Sequence, residues 1–189
     1  MVMHTALVII LGSPASGKTS LAQRLATDLS IACLCKDDVK EALFDMLGVG
    51  DRNWSARLSR ASLAALLRIA ARQALVGLPG IVEGNWSGEH LPAFRALSRG
   101  VELPFAQVCC YAEPPEIDRR LRARQRHPGH LDALLSLELA QNPPLAPRFL
   151  DLPGPAWVYR SDQSGNYSEI RRSLEIWLES GQSGPRPSN

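Results

Sequence analysis

An α/β fold built on a five-stranded parallel sheet is the architecture this sequence predicts, and three observations predict it. Short apolar runs alternate with helical, amphipathic stretches from end to end. The first run, residues 5–11, leads directly into Gly12-Ser13-Pro14-Ala15-Ser16-Gly17-Lys18-Thr19, which satisfies G-x-x-x-x-G-K-[ST] at every fixed position. The next runs end in acids, Lys36-Asp37-Asp38 after residues 31–35 and Glu83 after Ile81-Val82. In an open parallel sheet that edge is where ligands bind.

Each element has a local reason. The first run carries β-branched residues and reads as a buried strand. The stretch after the loop repeats Leu21, Leu25 and Leu29 with Gln23, Arg24, Thr27 and Asp28 between, so a helix with one apolar face is expected. Between them, Gly12 and Gly17 allow backbone conformations closed to other residues. Successive N–H groups, aided by the positive end of the helix, can then converge on a phosphate. Residues Ser13, Pro14, Ala15, Ser16 and Ser20 are grouped with this nucleotide-binding stretch. Lys18 is expected to reach the β- and γ-phosphates and Thr19 to ligate Mg²⁺.

A second strand is expected at residues 31–35 and a helix from about 39 to 47, ended by Gly48. Asp38 with Glu41 three residues on has the capping-box spacing. Asp37 has no such structural role and is the expected general base toward an acceptor hydroxyl, with Asp38 as the alternative base and a structural role for both as the third possibility. A polar connection at 51–54 precedes a long helix from about 55 to 76. Its Arg57, Arg60, Arg68 and Arg72 form a stripe that reads as a solvated face, with an acidic acceptor as the competing use. A third strand then ends at Glu83, the position expected to share the metal with Thr19 or to bind the acceptor. Trp86 either stacks on a planar acceptor or packs against a helix at about 90–98.

The fourth strand, residues 105–111, precedes a helix from about 116. There Arg119, Arg120, Arg122, Arg124 and Arg126 fall within eight residues. Pro128 and Gly129 break it. A basic lid over about 119–142 that closes on nucleotide is expected, with Arg124 and Arg126 meeting transition-state charge and Arg120 counted with the nucleotide site; an exposed basic face is the alternative. His127 and His130 read as turn residues. A helix at 131–140, a proline-rich connector, a strand at 156–160 with Ser161-Asp162 at the nucleotide's adenine end, and a helix at 167–180 complete the chain.

At 189 residues, with 45% hydrophobic and 21% charged, one domain over 1–180 is expected, followed by a disordered tail at 181–189. His4 is the one possible charged side chain before the first strand, so neither a signal peptide nor a membrane span is expected and a cytoplasmic location is. The basic residues are 18 arginines and 3 lysines, for a net charge of +2. Oligomeric state is not readable. Cys33, Cys35, Cys109 and Cys110 lack zinc-ribbon spacing and read as buried free thiols.

With these pieces in view, the chain resembles nucleotide-kinase-like phosphate-loop proteins, among small AAA-domain kinases near the chloramphenicol phosphotransferase, zeta toxin and polynucleotide 5′-kinase families. Gly12 to Thr19, Lys36-Asp37-Asp38, residues 81–86, the Arg119 to His130 segment with His127-Pro128-Gly129-His130, and Leu150-Asp151-Leu152-Pro153 carry the likeness over nearly the full length. The resemblance implies a three-layer α/β/α fold with sheet order 2-3-1-4-5 and a helical lid. It also implies Asp37 as base and the lid arginines as a transition-state clamp. Glu83 departs from the aspartate several relatives have, and Trp86 and the arginine stripe match no acceptor signature. No Asn-Lys-x-Asp guanine signature is present, so ATP with Mg²⁺ is the expected cofactor pair. The expected activity is transfer of the γ-phosphate to a hydroxyl of a small molecule. A polynucleotide 5′-hydroxyl acceptor is the alternative, as are an ATPase and an ATP-holding regulatory protein.

Overall fold

The computed structural model describes residues 3–97, 103–163 and 166–181. Strands β1 (Leu7–Gly12), β2 (Ala32–Cys35), β3 (Gly80–Glu83), β4 (Phe105–Tyr111) and β5 (Ala156–Arg160) form one parallel sheet in the order β2-β3-β1-β4-β5. That is the expected order. It makes β1 central, with β3 on one side and β4 on the other, so the chain reverses its winding direction there. A crevice opens at the C-terminal end of such a strand, and the phosphate loop leaves β1 into it.

The helices are α1 (Lys18–Leu29), α2 (Lys36–Leu47), α3 (Arg52–Leu75), α4 (Leu91–Leu97), α5 (Pro114–Ala123), α6 (Asp132–Gln141) and α7 (Tyr167–Ser180). Alternate residues of β1 serve opposite layers. Val8 and Ile10 pack with Leu21 and Leu25 of α1 and Leu174 and Leu178 of α7. Leu7, Ile9 and Leu11 pack with Leu63, Leu66 and Leu67 of α3 and Phe94 of α4. Both faces of the strand are covered, which is why it reads as an unbroken apolar run. Among the described residues no helix is long and apolar enough to cross a membrane.

Several boundaries differ from expectation. α2 begins at Lys36, with Cys35 as N-cap, so Asp37 and Asp38 lie inside its first turn, where the helix dipole favours negative charge. Asp38 is therefore not the cap, and Glu41 turns to His130 instead of closing a capping box. α3 begins at Arg52 because the Asp51 carboxylate accepts from the Trp54 N–H at 2.8 Å, turning the expected connection into a capped first turn. Pro114 opens α5, where its missing N–H costs nothing. The expected end of the fourth helix at residue 98 and the tail from 182 lie outside the described residues.

Candidate active site

The phosphate loop is shaped by its contact with β4. Gly12 has φ +137°, and a Cβ there would stand 2.2 Å from the Cys110 carbonyl oxygen, so glycine is required. Gly17, at φ +90°, caps α1. The Lys18 ammonium, buried at the start of α1, donates to the Ser13 carbonyl at 2.8 Å across the loop. Burial lowers its pKa against the pull of Glu83. Ser16 Oγ is buried with no partner. Thr19 Oγ1 donates to Glu83 Oε2 at 3.4 Å, and burial pushes the Glu83 carboxyl up.

These groups fit a nucleotide carrying Mg²⁺. The hydroxyl of Thr19 and the carboxylate of Glu83 are hard oxygen donors, side by side at the loop. Mg²⁺ takes one or two protein oxygens and leaves its other positions to phosphate and water. The orphaned Ser16 hydroxyl and the backbone turned by Gly12 and Gly17 form the cradle in which the phosphates would sit.

A cleft of about 820 Å³ runs from this loop to the start of α2 and is roofed by α5, α6 and the segment between them. Asp37 stands in its wall. One carboxylate oxygen accepts from Lys36 Nζ at 2.9 Å and the other from the Arg126 guanidinium, while His130 Nδ1 lies 4.0 Å away. Burial favours the neutral acid, but the charges of Lys36 and Arg126 outweigh it and hold the carboxyl well below the usual carboxylate range. Asp38 also faces the cleft. Burial, then Glu41 and Asp37, pushes its pKa up.

The lid arginines do not behave alike. Arg120 reaches over the phosphate loop, donating to Ala15 O at 3.3 Å and to Ser161 Oγ and Ser161 O at 2.8 Å each. Arg124 forms a two-pronged pair with Asp132 at 2.8 and 2.6 Å, and Arg126 holds Asp37. A short 3₁₀ turn, Pro128–His130, is seated on α2. Gly129 lies so close to the Phe44 ring that a Cβ would approach it to 2.6 Å. His127 stacks on that ring at 5.1 Å and His130 meets its edge. His130 Nε2 is 2.7 Å from Glu41 Oε1, and the Ser55 hydroxyl donates to the Gly129 carbonyl at 2.9 Å. Lys40 donates to Ser55 at 2.8 Å, and burial lowers its pKa to about 8.

The fold thus brings Lys18, Thr19, Asp37, Arg120, Arg124 and Arg126 to one cleft, with Glu83 beneath Thr19. Two alternatives left open by the sequence are decided, the stripe as a solvated face and Trp86 as a packing residue. Arg57, Arg60, Arg68 and Arg72 are exposed and lie outside the cleft lining. Trp86 is buried, edge-on to Phe94 at 5.0 Å and His90 at 5.5 Å, so it packs in the core and cannot stack on a ligand. His127 is the turn residue expected, but His130 is a buried member of the Asp37 cluster. Lys36, Glu41 and His130 were not expected at the site. Only the four-residue step from Asp37 to Glu41, one helix face, hinted at the second.

The AAA domain family model matches residues 7–140. A candidate kinase from Chloroflexus aurantiacus J-10-fl superposes with a TM-score of 0.83 at 30% identity, over 92% of this chain and 98% of that one. The APS kinase of Mycobacterium tuberculosis, solved with AMPPNP and APS, superposes with a TM-score of 0.56 at 18% identity, over 94% and 99%. The shikimate kinase of Bacteroides thetaiotaomicron does so with 0.52 at 17%, over 93% and 99%. The latter two share the fold. No curated protein matches the chain. The chain belongs to the AAA domain family, and its fold is that of the phosphate-loop kinases.

Proposed function

We propose that this AAA-domain protein is an ATP-dependent kinase that moves the γ-phosphate of ATP·Mg²⁺ to a hydroxyl of a small molecule. One observation carries the reading: Asp37 stands in the same cleft as Lys18 and Thr19, under a roof of lid arginines. An ATP-holding protein needs the loop but has no use for a carboxylate facing it across the cleft. The likeness to the Chloroflexus candidate kinase and the shared fold with APS and shikimate kinases support the same reading.

The mechanism follows from the residues. Main-chain N–H groups of residues 12–19 and Lys18 bind the triphosphate, and Thr19 with Glu83 would hold Mg²⁺, which offsets phosphate charge. The acceptor hydroxyl gives its proton to an Asp37 carboxylate oxygen as its own oxygen bonds to the γ-phosphorus and the bond to the β-phosphate oxygen breaks. For this Asp37 must exchange Arg126 for the hydroxyl. Arg126, freed, is within the same cleft as the charge developing on the phosphoryl oxygens, and Arg124 can join it by leaving Asp132. A polynucleotide acceptor would need a basic track with stacking rings leading to Asp37, and the arginine stripe of α3 lies elsewhere.

A single-turnover assay with γ-labelled ATP and pooled acceptors tests the proposal. Label in an organic acceptor is expected. Label in free phosphate alone would make the protein an ATPase, and unconsumed ATP would make it a nucleotide-holding protein.

A further inference from the structure

We infer that the acceptor is a polyhydroxylated small molecule bearing a protonated amine, received on the side of the cleft formed by Asp38, Ser59 and Asn85. The inference rests on the kinase reading and adds the substrate's chemical class.

The first ground is which groups of the wall already have partners. Each cation on the acceptor side is engaged: Lys36 and Arg126 by Asp37, Arg124 by Asp132, Arg52 by Glu138 and Lys40 by the Ser55 hydroxyl. Asp38, Ser59 and Asn85 line the same cleft, and none of their side chains is engaged in a hydrogen bond or ion pair. The open positions are thus one carboxylate, one hydroxyl and one amide. Hydroxyl groups suit all three as donors or acceptors, and an ammonium suits the carboxylate.

The second ground is the character of the surface. Among the described residues lining the cleft, Leu21 and Leu135 are the large aliphatic side chains, and its tyrosines come from elsewhere: Tyr159 from β5, at the sheet edge opposite β2, and Tyr167 from α7, with Arg24 over its ring. Trp54 is turned onto the Gly48 carbonyl and Trp86 is in the core. A flat aromatic acceptor would find beside Asp37 only the buried His130 ring, and would strip water from polar groups without repaying it.

The third ground is charge flow during the reaction. As Arg124 and Arg126 turn to the γ-phosphoryl oxygens, Asp132 loses its guanidinium, Asp37 is left with Lys36 alone, and Glu41 loses Arg126 at 3.9 Å. The acceptor side then gains negative potential around Asp38, whose charged form burial, and then Glu41 and Asp37, already disfavour. A cationic group on the acceptor offsets that charge at the moment it appears, whereas a carboxylate or phosphate there would add to it.

The test measures second-order rate constants for label transfer from γ-labelled ATP to matched sets: glucosamine, glucose and gluconate; kanamycin and a neutral trisaccharide; and 2-phenylethanol. The expected result is at least a tenfold preference for the aminated member of a set over its neutral counterpart, with gluconate and 2-phenylethanol slowest. Asp38→Asn should reduce that preference to near unity and Asp38→Glu should restore most of it, with ATP affinity by calorimetry reporting that each variant is folded. Equal rates for aminated and neutral members, faster transfer to gluconate or 2-phenylethanol, or a preference untouched by Asp38→Asn would overturn the amine assignment while leaving the kinase reading in place. Label appearing only as free phosphate with every acceptor would overturn both.

Discussion

The two walls of the cleft are held together by different forces, and the contrast says which can move. The phosphate loop is fixed by strand pairing, by the close approach of Gly12 to β4, and by two apolar layers that bury β1 on both faces. Its donor groups are main-chain N–H groups whose directions the fold has already set, so binding phosphate requires little rearrangement. The opposite wall is a set of ion pairs between α2 and the lid. Asp37 and Arg126, and likewise Glu41 and His130, are 89 positions apart in the chain. These pairs are exchangeable, and the proposed chemistry requires one of them to exchange. With a preformed cradle on one side and a self-neutralised carboxylate on the other, Asp37 is available as the proposed base only when something else takes Arg126.

The largest test of this contrast is Asp37→Asn. The amide keeps the size of the side chain and can still bond to Lys36, but it cannot take a proton at neutral pH. Turnover is expected to fall by roughly 10²–10⁴ while ATP affinity changes little. Unchanged turnover would move the base role away from Asp37, and Asp38→Asn is the next variant to measure. On the cradle side, Lys18→Ala removes a charge-assisted contact and should cost about 1.5–3 kcal/mol, seen in both ATP affinity and turnover. Calorimetry that finds ATP bound as tightly as before would remove the loop lysine from the donor site.

This split also decides what was legible in the sequence. Residues 12–19, the apolar runs and the acids at strand ends are local patterns, and the sheet order and loop are where the motif and the family resemblance put them, while Asp37 reaches the cleft from the first turn of α2. Asp38 misled because its spacing to Glu41 fits a cap, yet Cys35 ends the strand so late that helical geometry starts at Lys36 and carries both acids inside it. The seat of the lid was not legible. Phe44, Ser55 and Gly129 come from three separate elements, and nothing local in Pro128-Gly129 says that the turn rests on an aromatic ring. Trp86 showed the same limit, since its neighbours Phe94 and His90 decide between core and ligand.

Arg124 and Arg126 give the next comparison. Both are part-buried and both are engaged, but of the two only Arg126 engages the proposed base, Asp37. Replacing either by Ala should lower turnover roughly tenfold and leave ATP affinity nearly unchanged, because the charge they meet develops late. Arg126→Ala should in addition speed ATP hydrolysis by water relative to transfer, since the Asp37 oxygen that Arg126 occupies is then open in the absence of acceptor. Measuring released phosphate with no acceptor present separates the two variants. Equal hydrolysis by both would show that the Arg126 pair does not restrain the base.

The smallest effect, and the one that isolates the pair itself, is on stability. Asp37 has its carboxyl held well below the ordinary value of about 3.9 by Lys36 and Arg126 against the opposing cost of burial. A group depressed in the folded state contributes stability above its unfolded pKa and loses it as pH falls through the folded value. The side chains of Arg126 and Asp37 are 20% and 26% exposed, so solvent screening limits the pair to about 1 kcal/mol. Arg126→Gln should therefore lower the urea midpoint at pH 7, and the gap to the unmodified protein should narrow below about pH 4 as Asp37 begins to protonate in the unfolded chain. If the gap is as wide at pH 3 as at pH 7, Arg126 stabilises the lid through its other contacts, and the restraint on Asp37 is weaker than the geometry indicates.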